Sequence, residues 1–276
     1  MIYHAVTDWS DAYSNGIHIA NGSRWPEAWV EPAAAYRKKM TDEGRAELGL
    51  SYGDHERMRY DFFTPREPAR GLMIFIHGGY WMSLDNSYWS HLAQGAIESG
   101  FAVAMPTYVL CPEVRIADIT RQIAMAITAI AARVDGPIHL AGHSAGGHLV
   151  SRMVSEGSPL AQDVADRIAV TVSISGVHDL RPLARTQMNE TLHIDESEAL
   201  SESPVLLKPR EGTRLACWVG GNERAEFLRQ SALLANIWTG LGAETAFYAD
   251  PDRHHFDVLD GLADPQHPLT KTLLGA

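Results

Sequence analysis

The stretch Ile138-His139-Leu140-Ala141-Gly142-His143-Ser144-Ala145-Gly146-Gly147-His148-Leu149-Val150 decides how this chain is read. It opens on a short, strand-like run (IHLA), passes through Gly142-His143-Ser144-Ala145-Gly146, and continues into a helix-compatible stretch (AGGHLVSRMV). A sharp strand-to-helix turn with serine at its apex crowds the backbone. Small residues are therefore needed two positions before and two after the serine, which is the G-x-S-x-G pattern. The amides that open the following helix point at the apex, where they can stabilise developing negative charge. Ser144 is thus the candidate nucleophile; the bland reading is an ordinary strand–helix turn that contains a serine.

The same texture continues on both sides. Apolar runs are expected as strands at residues 72–76 (LMIFI), 101–105 (FAVAM), 138–141, 168–174, 215–219 and 245–249. Helical spacing lies between them at 116–132, from about 145, and at 225–239. Short continuous apolar strands alternating with helices imply a mostly parallel central sheet with helices on both faces, one α/β domain over residues 1–276. Residues 1–60 are polar with scattered aromatics and one helix-compatible run at 32–48, and they read as an N-terminal lead-in or partial lid. Residues 177–207 carry charges and prolines without a strand pattern, and they read as a small cap insertion.

Composition narrows the function classes. The 276 residues carry a formal net charge of −11, which disfavours nucleic acid as a partner. The two cysteines, Cys111 and Cys217, supply neither a disulfide framework nor a Cys-rich metal site and fit a reducing compartment. The first fifteen residues have neither a basic stretch nor an apolar core, so no signal peptide is expected, and no window approaches a membrane span. A cytoplasmic protein acting on a small molecule is expected, with no membrane, no cofactor and no metal; a homodimer is compatible with this reading.

Ligands of such sheets bind beyond the carboxyl ends of the strands, and that is where the unusual residues fall. After the run at 72–76 comes His77-Gly78-Gly79-Tyr80-Trp81, whose paired glycines let backbone amides approach a reacting oxygen. The expected oxyanion donors are the N–H groups of Gly79, Tyr80 and Ala145. An elbow serine of this type is followed in the chain by an acid and then by a histidine. Glu223 is the first carboxylate after the run at 215–219, with Glu226 a weaker candidate that reads as an exposed charge. His255 follows the run at 245–249, with His254 as fallback and His267 as a surface residue. Glu223 would orient the His255 ring and stabilise its imidazolium.

These segments resemble a known group. His77-Gly78-Gly79-Tyr80-Trp81 is similar to the HGGxW motif of the kynurenine formamidase (arylformamidase) branch of the α/β hydrolases, whereas the wider hormone-sensitive-lipase-like esterases carry HGGG. Tyr108-Val109-Leu110-Cys111-Pro112-Glu113 resembles a Y-x-L-x-P-E segment of both groups. The stretch from Glu223 to Ser231 resembles the formamidases' D-S-P-E-F-x-R-Q-S block, and His255-Phe256-Asp257 their terminal H-F-D. The likeness runs from about residue 70 to residue 260. It departs at Glu223, where the block has Asp, and the longer side chain requires an adjusted loop. The resemblance implies an α/β-hydrolase fold and hydrolysis of an N-formyl arylamine through a Ser144–His255–Glu223 triad and an acyl-enzyme. Tyr80 and Trp81 would then line the aryl side of the pocket.

Competing readings are a carboxylesterase for short acyl esters, which needs the same machinery, and a non-catalytic ligand-binding protein on a hydrolase scaffold. A metal enzyme is a third, because His139, His143 and His148 cluster. However, no H-E-x-x-H is present, and the first two straddle a strand and its turn.

Overall fold

The computed structural model describes residues 5–275; the first four residues of the expected lead-in and Ala276 lie outside them. Eight strands form one sheet: β1 (Ala46–Ser51), β2 (Arg59–Phe63), β3 (Leu72–Ile76), β4 (Ala102–Pro106), β5 (Ile138–His143), β6 (Ile168–Ile174), β7 (Arg214–Gly220) and β8 (Glu244–Asp250). Their spatial order is β1-β2-β4-β3-β5-β6-β7-β8. Strands β3 to β8 pair in parallel, and β1 and β2 add an antiparallel edge.

The central strands are apolar throughout because both of their faces are covered. In β3, Leu72, Ile74 and Ile76 join one core, while Met73 and Phe75 join the core on the opposite face. Strand β4 divides in the same way, Ala102 and Ala104 against Val103 and Met105. Successive side chains of a strand alternate in direction, so two cores need two apolar sets. The five helices of seven or more residues are α1 (Trp25–Asp42), α2 (Ile116–Ala131), α3 (Ala145–Met153), α4 (Ala225–Gly240) and α5 (Pro268–Leu274). Helices α2 and α3 cover the first face, α1 and α5 the second. Helix α2 starts where Asp118 accepts from the Arg115 N–H at 3.0 Å, and it buries Ile116, Ile119, Ile123, Ile127 and Ile130, spaced three and four apart.

The expected strands appear with ends shifted by up to two residues. The lead-in is different. The helix expected at 32–48 begins at Trp25, with Pro26 in its first turn, and ends at Asp42; Trp29, Ala33, Tyr36 and Met40 form its buried stripe. Within and just beyond the expected lead-in of residues 1–60, Ala46–Ser51 and Arg59–Phe63 form two antiparallel strands of the sheet. Strand β1 is largely exposed, and β2 holds Arg59 and Asp61 among its aromatics. The buried Asp61 accepts from the Gly49 N–H at 2.9 Å, at a β1 residue in the left-handed region.

Residues 177–207 fold into short helical turns at Leu180–Leu183, Asn189–Leu192 and Glu196–Ser201. A buried ion pair fastens their end to α3, Arg152 Nε to Glu202 Oε2 at 3.0 Å, and the Thr120 hydroxyl donates to the same oxygen at 2.7 Å. Both cysteines are free and buried. No helix of the described residues is long and apolar enough to cross a membrane.

Three histidines are locked into this interior. His77 stacks on Tyr108, ring centroids 4.4 Å apart. His148 Nε2 faces the Glu202 carbonyl at 2.7 Å, and His178 Nε2 faces the Ser173 hydroxyl at 3.2 Å. Burial pushes their pKa values down from 6.5 to about 4, about 4 and about 3 respectively. The unfolded chain therefore binds these protons at higher pH than the folded chain does. The stability that depends on them is complete above about pH 6.5 and is lost as pH falls toward the folded values. Melting temperature measured from pH 8 to pH 4.5 is expected to drop steeply below about pH 6; a flat profile would contradict the neutral burial of these rings.

Candidate active site

The turn between β5 and α3 is as tight as its glycines demand. A Cβ on Gly142 would stand 2.1 Å from the Gly146 carbonyl oxygen, and one on Gly146 would stand 1.9 Å from that of Ile76. Ser144, at the apex, holds φ 56° and ψ −115°, a left-handed conformation rare for a residue with a side chain. Its own N–H donates to the Ile174 carbonyl at 2.8 Å, and its carbonyl accepts from the His148 N–H at 3.2 Å, which tie the strained residue to β6 and α3.

Beside it runs the loop after β3. A Cβ on Gly78 would lie 3.0 Å from the Ser144 Cβ, so that glycine sets the close approach of the loop to Ser144. Gly79 has φ +107°, and both the Met82 and Ser83 N–H groups donate to its carbonyl at 3.0 Å. The amides of Gly79, Tyr80 and Ala145 donate to no other group among the described residues, which leaves them free beside Ser144.

Glu223 and His255, separated by 32 positions, meet at the ends of β7 and β8. His255 Nδ1 lies 2.6 Å from Glu223 Oε2. A carboxylate only accepts, so Nδ1 carries the proton and Nε2 is the basic nitrogen. Glu223 Oε1 accepts from the Gly220 N–H at 2.8 Å and from the Ser175 hydroxyl. With both oxygens engaged, the carboxylate is fixed in place. His255 is buried, its ring 4.6 Å from Phe227 and 4.7 Å from His143. His143 Nε2 lies 2.8 Å from the His255 carbonyl, and burial holds the His143 ring neutral. Ser144 and His255 line one cavity of about 410 Å³; the Ser144 hydroxyl makes no hydrogen bond with the described residues. In an unliganded site, such contacts are commonly longer than in the reacting complex.

The other candidates lie elsewhere. His254 turns to Asp257, Nδ1 to Oδ1 3.1 Å, with its ring edge-on to Trp25. His267 caps α5, its Nδ1 accepting from the Leu269 N–H at 3.1 Å. Glu226 is not an exposed charge: it is buried, paired with Arg229 at 2.6 Å, and accepts from the Tyr13 hydroxyl at 2.7 Å. His139 and His148 each face a backbone carbonyl. Among the described residues, no group of three or more His, Cys, Asp or Glu could hold a metal ion.

Trp81 corrects the expected pocket lining. Tyr80 and Trp81 both take left-handed φ values, 49° and 58°, and the chain reverses there. Tyr80 faces the cavity, while Trp81 is fully buried in the core, its ring T-shaped on His148 at 5.1 Å. The aromatic walls come instead from Trp29, Trp89 and Phe256. Sequence reasoning missed these, and it missed Tyr13, Asn15 and Gln187 on the same cavity. Ser175 was also missed, although its place directly after β6 follows the strand-end rule that found the others. Residues of the N-terminal segment, from Ser10 to Trp29, therefore line the cavity on one side, and Thr186, Gln187 and Met188 line another.

Known proteins share this architecture. Residues 73–219, more than half of the chain, match the family described as alpha/beta hydrolase fold. The chain is 29% identical to a kynurenine formamidase of Danio rerio, an alignment covering 98% of each. A crystal structure described as a candidate thioesterase of Silicibacter sp. TM1040 is 46% identical, with a TM-score of 0.91 over 96% of this chain and 98% of that one. An esterase of Pyrobaculum calidifontis, 18% identical over 92% of this chain and 90% of its own, has the same fold with a TM-score of 0.72. The elbow, the strand order and these likenesses agree that the chain is a hydrolase and belongs to the alpha/beta hydrolase family.

Proposed function

We propose that this hydrolase cleaves a small acyl group from an aromatic amine, an N-formyl arylamine, through Ser144, His255 and Glu223. The single observation that carries the mechanism is the 2.6 Å contact between His255 Nδ1 and Glu223 Oε2 in the cavity that holds Ser144. His255 Nε2 takes the proton from the Ser144 hydroxyl as its oxygen attacks the formyl carbon. The oxyanion is held by the N–H groups of Gly79, Tyr80 and Ala145. His255 then protonates the departing amine, and water deprotonated by the same ring releases formate. Glu223 stabilises the imidazolium in both halves of the reaction.

The amide reading is supported by likeness to a kynurenine formamidase over nearly the whole chain, and by the tryptophan and phenylalanine walls of the cavity. The second reading is a thioester or ester, favoured by the more identical structure described as a candidate thioesterase. Rates with purified protein on a formanilide, an aryl acetate and an acyl thioester separate them. The formanilide is expected to have a kcat/KM at least comparable to that of the intrinsically easier ester; turnover of the ester or thioester alone would remove the amide reading.

Ser144→Ala is expected to lower kcat by about 10⁴-fold or more while the melting temperature stays within a few degrees. Near-normal turnover would refute the nucleophile. Glu223→Gln keeps the shape but not the charge, and is expected to lower kcat by about 10³- to 10⁴-fold. Glu226→Gln, which weakens a buried ion pair away from the reacting atoms, is expected to cost stability more than kcat. The reverse ranking of these two variants in kcat would move the acid.

A further inference from the structure

The end of β6 carries a second serine in a strained backbone. Ser175 holds φ 52°, in the left-handed region that residues with a side chain avoid, and it is fully buried. Its N–H donates to the Trp218 carbonyl of β7 at 2.7 Å. The next residue leaves no slack: a Cβ on Gly176 would stand 2.2 Å from Ser173 Oγ and 2.5 Å from His178 Cε1. Strain held this firmly points to a task for the side chain. The Ser175 hydroxyl has one, because it donates to Glu223 Oε1.

That carboxylate depends on its donors. The Glu223 side chain is fully buried, so bulk solvent does not reach it to replace a lost partner. A glutamate also has one more rotatable bond than an aspartate, and more freedom must be removed to keep Oε2 on His255 Nδ1, 2.6 Å away. Oε1 has two donors, the Gly220 N–H at 2.8 Å and the Ser175 hydroxyl. Gly220 belongs to the same turn as Glu223 and moves with it. Ser175 comes from the neighbouring strand, so it is the donor that fixes the carboxylate against the rest of the sheet. The same strand end holds Ser144, whose N–H donates to the Ile174 carbonyl at 2.8 Å. Ile174 and Ser175 together therefore set the Ser144 backbone and the Glu223 carboxylate relative to each other.

We propose that Ser175 is a positioning residue: its hydroxyl holds Glu223 Oε1 so that Oε2 stays on His255 Nδ1 while the imidazolium forms and is discharged. Ser175 is not among the residues lining the cavity of Ser144, so it acts through Glu223 and not on the substrate. The inference rests on the Ser144–His255–Glu223 reading given above.

The test compares Ser175→Ala, Ser175→Gly, Glu223→Ala and the double variant of Ser175→Ala with Glu223→Ala. Turnover is measured on a formanilide and an aryl acetate, and the rate of Ser144 labelling by a fluorophosphonate is followed in parallel. In Ser175→Ala, kcat is expected to fall about 10- to 100-fold, with KM within about threefold of the parent value. Ser175→Gly suits the left-handed backbone; it is expected to lose kcat to the same extent while melting no lower than Ser175→Ala. With Glu223→Ala in place there is no carboxylate to hold, so adding Ser175→Ala is expected to slow labelling less than about twofold. A serine that only supported the fold would give equal losses with and without Glu223. Parent-like kcat in either Ser175 variant would overturn the role, as would a labelling loss as large without Glu223 as with it. A Glu223→Ala protein as active as the parent would remove the triad reading as well. A crippled Glu223→Ala beside a fully active Ser175→Ala would remove Ser175 alone. If the formanilide is inert while the acetate shows the effect, the amide reading fails and the role of Ser175 stands.

Discussion

Everything at this site depends on the backbone contact between the β5–α3 turn and the end of β3. The Ile76 carbonyl leaves no room for a side chain on Gly146, and the Gly146 carbonyl leaves none on Gly142. That crowding is what allows Ser144 to occupy a strained conformation at the tip instead of relaxing into a wider turn. The parallel pairing of β3 with β5 and of β5 with β6 supplies the frame that holds the strain. It also places the Gly78-Gly79 loop beside the serine, because that loop leaves β3 at the same sheet end. Ser144 and the candidate oxyanion donors are thus positioned by one packing constraint.

Glu223 and His255 reach the same edge by a different route, from β7 and β8, whose register places Gly220 beside Asp250. A Cβ on Gly220 would lie 2.5 Å from the Arg253 carbonyl, so the two loops interlock. The Glu223 carboxylate is gripped by the Gly220 amide and the Ser175 hydroxyl before it meets the imidazole. A glutamate is one methylene longer than the aspartate its neighbours in the sequence suggest. Here it spans from the turn after β7 to the ring without loss of contact, because both oxygens have separate partners.

The legible part of this architecture was the part governed by burial on two sides. Strands β3 to β8 and helices α2 to α4 announce themselves because covered strands must be apolar and their helices must carry one apolar stripe. The elbow, Glu223 and His255 were readable because they fall directly after such strands. Strands β1 and β2 were not, because an edge strand needs no apolar alternation and β2 tolerates Asp61 through one backbone hydrogen bond. Trp81 misled for a related reason: a sequence records that an aromatic adjoins a loop, not that two left-handed residues send neighbouring rings in opposite directions. Glu226 misled because its burial depends on Tyr13, 213 positions away.

That last contact bears on why the cavity has the shape it does. Tyr13 and Asn15 come from a segment with no periodic pattern and Trp29 from the start of the buried stripe of α1, and all three line the cavity. The Tyr13 ring packs edge-on against Phe227 at 6.0 Å, and Phe227 packs on His255 at 4.6 Å. Its hydroxyl enters the Glu226–Gln230 network, and its carbonyl accepts from the hydroxyl of Tyr80 in the loop after β3. One residue of the lead-in thus touches the surroundings of His255, the first turns of α4 and the loop beside Ser144. A buried ion pair such as Glu226–Arg229 contributes little net stability against an apolar substitute. Its role here is directional: it gives the Tyr13 hydroxyl one acceptor to donate to, and so fixes which face of the N-terminal segment lines the cavity.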